Sequence, residues 1–78
     1  MAAYTATKAA KDLGVSRDFL RMKLRQGLYR DIGEAIPPGK GSQYWRFPCY
    51  PAKVASKTGR AVRHDGIIYY PDGRTEEE

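Results

Sequence analysis

Apolar residues recur at helical spacing near the start of the chain, and the pattern predicts a first helix over residues 6–13. Thr5 precedes this run and suits the N-cap position, because a threonine hydroxyl can accept a hydrogen bond from the first helical turn. The alanines on the apolar face are small enough to let another helix approach closely. That face carries Ala9, Ala10 and Leu13.

A tight turn separates this helix from a second amphipathic stretch. Gly14 can adopt the positive φ of a helix terminus, and Ser16 is a strong N-cap for a helix over residues 17–26 that Gly27 ends. Two helices joined by so short a turn must cross steeply. The arc of the second helix that we predict to face the core carries Phe19, Leu20, Leu24 and the stem of Lys23.

The opposite side of the second helix is basic. Arginines at positions i, i+4 and i+8 form a single stripe, in which like charges repel by a few tenths of a kcal/mol per pair. An anion lying alongside would remove that cost, which favours a polyanionic partner. The other interpretation is a helix face that is simply exposed to solvent. The residues on this side are Arg17, Asp18, Arg21, Met22 and Arg25.

Alternating residues after the second helix predict a β-hairpin with strands over residues 32–36 and 43–47. The connecting segment 37–42 contains two prolines and two glycines, so it cannot continue a strand and is predicted to be a flexible loop tipped by Lys40. By alternation the inner side of the second strand carries Trp45 and Phe47, and the outer side carries Tyr44 and Arg46.

A short third helix is predicted over residues 51–58. Proline is favoured in the first helical turn and glycine just beyond the last, and Pro51 and Gly59 occupy those positions. The residues that we expect to pack this helix against the hairpin are Ala52, Val54 and Ala55.

The end of the chain differs in charge from the rest. Residues 1–60 carry twelve Lys/Arg against four Asp/Glu, whereas residues 61–78 carry two against five. The apolar run that follows Asp65–Gly66 predicts either a small hairpin or a strand that pairs with the edge of the domain or of another copy. The acidic end is expected to be disordered. We therefore predict an α+β fold with one folded domain, residues 1–59, and a C-terminal tail, residues 60–78.

Composition narrows the function classes. A chain of 78 residues has room for one domain, and burial of only about 60% of the unfolded chain's surface leaves little scaffold for a catalytic cleft. No apolar run approaches the roughly 18 residues of a membrane helix, and the first twenty residues lack the apolar core of a secretory signal. The net charge of +5 favours a polyanionic partner, although basic surfaces are common on ordinary proteins. We expect a soluble binding module that contacts no membrane and is not an enzyme.

No cofactor, metal ion or small-molecule ligand is expected. The glycine-rich loop around Lys40 joins two predicted strands, whereas a phosphate-binding loop leads from a strand into a helix. His64 has Asp65 beside it but no nucleophile at hand, and Cys49 is expected to be a small buried residue. One cysteine and one histidine supply neither an internal disulfide nor a metal-ligand set.

Residues 4–27 resemble the helix-turn-helix of the excisionase and MerR-like group. The likeness rests on the Ala9–Ala10 pair, on Leu-Gly-Val-Ser across the turn at 13–16, on leucines four and eight positions past that serine, and on the glycine after the second helix. The later strand, glycine-rich loop, aromatic strand and short helix are similar to the winged continuation of small phage regulators. The resemblance implies a small winged helix-turn-helix, with two helices, a β-hairpin wing and a short third helix.

The resemblance also implies that the second helix enters the major groove of double-stranded DNA, with the wing on the adjacent backbone or minor groove. Arg17 or Arg21 would then read a guanine, Ser16 and the exposed amides of the helix start would bind a phosphate, and Arg25 would lie nearer the backbone. The implied DNA contacts are Ser16, Arg17, Asp18, Arg21, Met22 and Arg25 on the helix and Lys40, Ser42, Gln43, Tyr44 and Arg46 on the wing.

Two residues depart from the family's pattern. Phe19 is large where many relatives carry a small polar residue, which favours a core position over a DNA contact. Asp18 would repel phosphate unless it pairs with Arg21 or accepts a hydrogen bond from a cytosine amino group. The long coiled coil and effector domain of MerR-type activators have no counterpart in this sequence, so we expect no sensing of a metal or drug.

Two functions follow from the resemblance. One is an excisionase-like recombination directionality factor that acts with the integrase of a phage or mobile element, and the other is a small phage transcriptional regulator. The expected partners are double-stranded DNA and either an integrase or another copy of the chain, in the cytoplasm of a bacterial host. An alternative from a different class is a phage-encoded inhibitor of a host protein that retains the fold without DNA recognition, which the apolar stretch 67–70 and the acidic end would serve.

Overall fold

The computed structural model of the chain describes residues 3–39, 41 and 43–78. It is a small α+β protein, as predicted, with helices and a three-stranded antiparallel sheet of order β1-β2-β3. α1 packs against α2 and α3, and α3 packs against β1 and β2. The helices are α1 (Ala6–Leu13), α2 (Arg17–Arg25) and α3 (Pro51–Thr58), and the strands are β1 (Val62–His64), β2 (Ile67–Tyr69) and β3 (Thr75–Glu77).

The turn between α1 and α2 forms as the sequence predicts. Gly14 has a φ of 79°, and its N–H donates to the Ala10 carbonyl at 2.9 Å, which ends α1. Ser16 then caps α2, because its Oγ accepts a hydrogen bond from the Phe19 N–H at 3.1 Å. Thr5 occupies the N-cap position of α1 but makes no capping bond with its side chain, so this part of the prediction is wrong.

The segment after α2 is a hairpin held by isolated bridges instead of the two regular strands that we predicted. Gly33 pairs with Cys49, and Ile36 pairs with Arg46 in the same antiparallel register. The second pair exchanges backbone hydrogen bonds of 2.8 and 2.9 Å. We call residues 33–49 the bridged hairpin.

Prolines explain why the bridges stay isolated. Two consecutive prolines follow the first half of the bridged hairpin and Pro48 lies in the second half, and a proline has no N–H to donate to a ladder. The N-terminal segment supplies part of the missing pairing: Thr5 forms a bridge with Pro48, and the Ala6 N–H donates to the Phe47 carbonyl at 3.0 Å. The second half of the bridged hairpin therefore pairs with both its first half and the start of α1.

α3 spans the predicted residues, with Pro51 in its first turn and Gly59 at a φ of 72° beyond its end. Val54 and Ala55 are fully buried, as predicted. Ala52, which we expected to pack as well, is exposed. At about 100° per residue Ala52 lies nearly opposite Val54, which explains why it faces solvent.

Residues 60–78 form the sheet. β1 and β2 pair around Asp65–Gly66, which is the smaller hairpin among the predicted alternatives, and both turn residues have positive φ, 54° and 78°. Positive φ at both positions is typical of a two-residue hairpin turn. β3 then pairs with β2, with Glu76 opposite Ile68, so the predicted disorder is wrong for residues 75–77.

Local side-chain contacts explain the order of the acidic end. The hydroxyl of Tyr70, the residue that follows β2, donates to the carboxylate of Glu76 in β3 at 2.6 Å. Asp72 accepts from the backbone N–H of Arg74 at 3.1 Å and from its Nε at 2.7 Å, which fixes the turn between the two strands. These specific partners are not visible in the net charge of the segment.

The core lies among the three helices, the bridged hairpin and the start of β1. Leu20, Ile32 and Val54 are its largest fully buried side chains. Phe19, which we expected in the core, is 37% exposed and lies outside the cluster, with the Lys23 Nζ 5.3 Å from its ring centre. The buried cluster consists of Tyr4, Ala6, Ala9, Ala10, Leu20, Leu24, Ile32, Phe47, Cys49, Val54, Ala55 and Val62.

Candidate nucleic-acid interface

The arginine stripe of α2 lies against the bridged hairpin. The guanidinium carbon of Arg21 is 4.8 Å from the ring centre of Phe47, and that of Arg25 is 4.7 Å from the ring centre of Trp45. Cation–π contacts of this kind stabilise by about 0.5–1 kcal/mol at exposed sites and by more where water is excluded. They hold the two guanidinium groups in defined positions between the helix and the hairpin.

The two rings that carry these arginines support each other. Trp45 and Phe47 are stacked, with ring centroids 6.1 Å apart and an interplanar angle of 16°. Phe47 is buried and Trp45 is half-buried against the core, which confirms their predicted inward orientation. The paired backbones of Ile36 and Arg46 fix the chain between the two rings. α2 therefore packs on a well-defined aromatic pair.

A groove follows the contact between α2 and the aromatic pair, and we call it the seam. Its largest part is a cleft of about 440 Å³ lined by Arg17, Arg21 and Arg46 together with the two rings. Two smaller hollows of about 300 and 360 Å³ continue it along α2. Arg25, Trp45 and Met22 border both hollows, Asp18 also borders the first, and Gln26 also borders the second. The seam thus brings together the whole arginine stripe of α2 and one arginine of the bridged hairpin.

The seam is electropositive. Among the described residues no carboxylate lines its largest part, and Asp18 borders one of the smaller hollows. The Arg17 Nε lies 3.9 Å from the Asp18 carboxylate, but with side chains 57% and 88% exposed this pair contributes little. In the ranges 3–39, 41 and 43–78, no ion pair involves Arg21, Arg25 or Arg46. Their charges are available to an anion.

A second line of side chains runs along α2, and we call Asp18, Met22 and Gln26 the outer line. At about 100° per residue these residues lie roughly opposite the buried Leu20 and Leu24. Met22 is 47% exposed, although methionine is among the residues most often buried. The sequence indicated Asp18 and Met22 as contacts but not Gln26, which is the C-cap of α2. One more step of the i+4 spacing would have included it.

The remaining predicted contacts fall in two places. Ser16 caps α2 as an acceptor, and its hydroxyl hydrogen can still be donated to a phosphate. On the bridged hairpin Gln43 is exposed and Tyr44 is 76% exposed, so both lie on the outer surface near the connecting segment. The last two predicted contacts, Lys40 and Ser42, lie outside the described residues.

The sequence did not predict the cation–π contacts between the arginines of α2 and the two aromatic rings. The sequence predicts core positions for Trp45 and Phe47, and nothing local links them to arginines of α2. The contact between Arg25 and Trp45 depends on how the bridged hairpin folds back on the helix. The spacing of residues within one helix or strand cannot predict a contact between two separate elements.

Polar groups away from the seam have partners of their own. The Tyr4 hydroxyl donates to Asp12 at 2.8 Å, and the Lys8 Nζ lies 3.3 Å from the same carboxylate. Burial, and then this hydrogen bond, raise the pKa of Tyr4 well above its usual range. The His64 ring packs edge-on against Tyr4, with centroids 5.1 Å apart. Burial raises the pKa of the Cys49 thiol to about 11, so it stays protonated at neutral pH.

The part of the chain that the structure describes contains neither a cluster of metal ligands nor a membrane-spanning helix. No three or more side chains of His, Cys, Asp or Glu converge there as ligands for a metal ion. None of the helices in that part has the length and apolar composition that crossing a membrane requires.

Comparison with known proteins gives no relative. No protein-family model, no curated protein and no solved structure matches the chain significantly. The features of the molecule that bear on its function are therefore the geometry and charge of the seam and the outer line.

Proposed function

We propose that the protein is a sequence-specific binder of double-stranded DNA. In this proposal α1, the turn at Gly14 and α2 form a helix-turn-helix, α2 enters the major groove, and the bridged hairpin is a wing on the adjacent backbone or minor groove. The observation that carries the proposal is the seam, where the arginine stripe of α2 and Arg46 line one groove with little carboxylate nearby. Repulsion along such a stripe is relieved when an anion lies beside it, and the DNA backbone is such an anion.

The dimensions of α2 suit this role. An α-helix with its side chains is about 10–12 Å across, which fits the major groove width of about 12 Å, and the nine residues of α2 give it a length of about 13 Å along the groove. The rings of Trp45 and Phe47 already restrict Arg25 and Arg21. Because those side chains are partly ordered before binding, less conformational entropy is lost when they contact DNA.

Two biological roles use the same surfaces. An excisionase-like recombination directionality factor, acting beside an integrase, would bind several adjacent sites and bend the DNA. A small phage regulator would cover one site, usually as a dimer on two half-sites. Both roles place the protein on DNA in the cytoplasm of a bacterial host, and neither involves catalysis by this chain.

The test is binding to random duplex DNA at increasing salt, followed by selection of preferred sites from the same pool. With roughly five phosphate contacts, log affinity should fall against log salt with a slope of about −4 to −5. Arg17→Ala combined with Arg21→Ala should reduce the magnitude of this slope by about two. The matched control, Lys53→Ala with Lys57→Ala, removes the same charge from α3 and should leave most of the slope.

The outcomes separate the hypotheses. Absence of binding even at low salt would contradict DNA binding and favour the protein-interaction module that the sequence left as an alternative. An equal loss in the α3 control would indicate general attraction of charge instead of a site at the seam. If a site is selected, adjacent direct repeats indicate the directionality factor, and two inverted half-sites indicate the regulator.

A further inference from the structure

We infer that α2 divides its DNA contacts between two lines of side chains: the arginines of the cleft, the largest part of the seam, hold the sugar-phosphate backbone, and the outer line of Asp18, Met22 and Gln26 reads the bases. This inference rests on the proposed function and deepens it by assigning affinity and specificity to different residues. It places Arg17 and Arg21 on the backbone, whereas the family resemblance places one of them on a guanine.

The two lines of side chains occupy different positions around the axis of α2. A helix in the major groove presents the side farthest from its own protein to the groove floor, where the base edges lie, and its flanks to the phosphates of the groove walls. The buried Leu20 and Leu24, which are 0% and 4% exposed, mark the side of α2 that faces the protein. Met22 lies on the opposite side, with the other two residues of the outer line beside it. The arginine stripe lies on the flank toward the bridged hairpin.

Aromatic rings of the bridged hairpin hold two arginines of the stripe. Arg21 is half-buried, and its guanidinium carbon lies 4.8 Å from the ring centre of Phe47. The guanidinium carbon of Arg25 lies 4.7 Å from the ring centre of Trp45. To reach the groove floor either side chain would have to leave its ring and lose that contact. A phosphate at the groove wall can approach both guanidinium groups where they already lie.

The cleft, which is the largest part of the seam, combines positive charge with apolar walls. Arg17, Arg21 and Arg46 are among the residues that line it, and guanidinium donors match the oxygens of a phosphodiester in both charge and geometry. The walls formed by Trp45 and Phe47 are apolar and suit the carbon face of a deoxyribose. A neutral base edge would leave three positive charges without compensation. The cleft is therefore suited to one sugar-phosphate unit of the strand.

The chemistry of the outer line is complementary. Asp18 can accept a hydrogen bond from the cytosine amino group, Gln26 can form paired hydrogen bonds with adenine, and Met22 can contact a thymine methyl group. A phosphate would repel Asp18, so a line that contains this carboxylate suits the groove floor and not the wall. The three residues carry no positive charge and would add little to salt-dependent affinity.

The experiment compares two groups of variants of the full chain on the selected duplex and on random duplex. Arg17→Ala and Arg46→Ala should each reduce the magnitude of the salt slope by about 0.9, weaken both complexes by the same factor and retain the preferred sequence. Met22→Ala and Gln26→Ala should leave the slope unchanged and lower the preference for the selected site by about five- to hundredfold. All four side chains are exposed, so circular dichroism should show an unchanged fold.

Contrary results are equally clear. If wild-type protein binds no duplex, the proposed function itself is wrong. If wild-type protein binds a selected site but Arg17→Ala changes the preferred bases without changing the slope, DNA binding stands and the division between the two lines is overturned. The same holds if both outer-line variants keep the wild-type preference. Arg17→Lys serves as the matched control, because it retains the charge and should retain the slope.

Discussion

Gly33 lies where the two halves of the bridged hairpin approach each other closely. A Cβ atom at this position would lie 2.6 Å from the Cys49 Sγ and 2.6 Å from the Pro48 carbonyl oxygen. One of these neighbours is backbone, so the clash cannot be relieved by rotating a side chain. The requirement for glycine here concerns space, and any larger residue must push the two halves apart.

Gly33→Ala should therefore destabilise the protein by about 1–3 kcal/mol, as overpacking of a tight contact does. Urea unfolding followed by circular dichroism measures the change. Gly39→Ala is the matched control, because nothing lies within 4 Å of a Cβ at that position and the variant should unfold at the wild-type urea concentration. Equal urea midpoints for the two variants would show that the close approach at Gly33 does not require glycine for stability.

At the level of elements, the helices could be predicted well because their ends depend on local chemistry. Gly14 and Gly59 both adopt positive φ just beyond a helix, and Ser16 caps the next one, so the residue types alone indicate these boundaries. The bridged hairpin was predicted in outline only, because its pairing depends on Pro48 and on the N-terminal segment. β3 was missed, because its pairing with β2 is supported by specific side-chain bonds, from Tyr70 to Glu76 and between Arg74 and Asp72, that a strand pattern does not reveal.

The two N-caps provide a test at this scale. Ser16→Ala removes a bond to the Phe19 N–H and should lower the free energy of unfolding by about 1 kcal/mol. Thr5→Val removes a hydroxyl that makes no capping bond and should change it by less than about 0.5 kcal/mol. Thermal unfolding of both variants measures the difference. A larger loss for Thr5→Val would contradict the assignment of the working cap to α2.

The candidate site shows the same limit of sequence information. The arginine stripe and most of the outer line follow from helical spacing, and they were predicted. The stacking of Trp45 and Phe47 and their contacts with Arg25 and Arg21 were not, because they join elements whose relative placement only the folded chain defines. The charge of the seam was predictable, whereas its shape was not.

At the scale of the whole molecule, stability should fall at alkaline pH. Burial raises the pKa of Cys49 to about 11 and that of Tyr4 well above its usual range, so both groups stay protonated in the folded state. In the unfolded chain they ionise near their ordinary values of about 8.5 and 10. The unfolded state thus loses protons first, and stability that is fully present below about pH 8.5 declines as the pH rises toward 11 and beyond.

Cys49→Ala should flatten the first part of this decline, because it removes the group that ionises first on unfolding. The measurement is the urea midpoint of wild-type and variant protein at several values between about pH 7 and 11. The variant will be less stable at pH 7 through lost packing, so the comparison concerns the slope and not the absolute value. Parallel curves for the two proteins would contradict a role for the thiol.

The chain contains a single tryptophan, and it lies in the seam between Arg25 and Phe47. Its indole is half-buried beside a positive charge, so its fluorescence depends on the field and the water at that place. A ligand that enters the seam will neutralise the charge and displace water, and both changes should shift the emission. A ligand bound elsewhere should leave the spectrum unchanged. The fluorescence of Trp45 therefore reports directly on occupation of the seam, on which the proposed function depends.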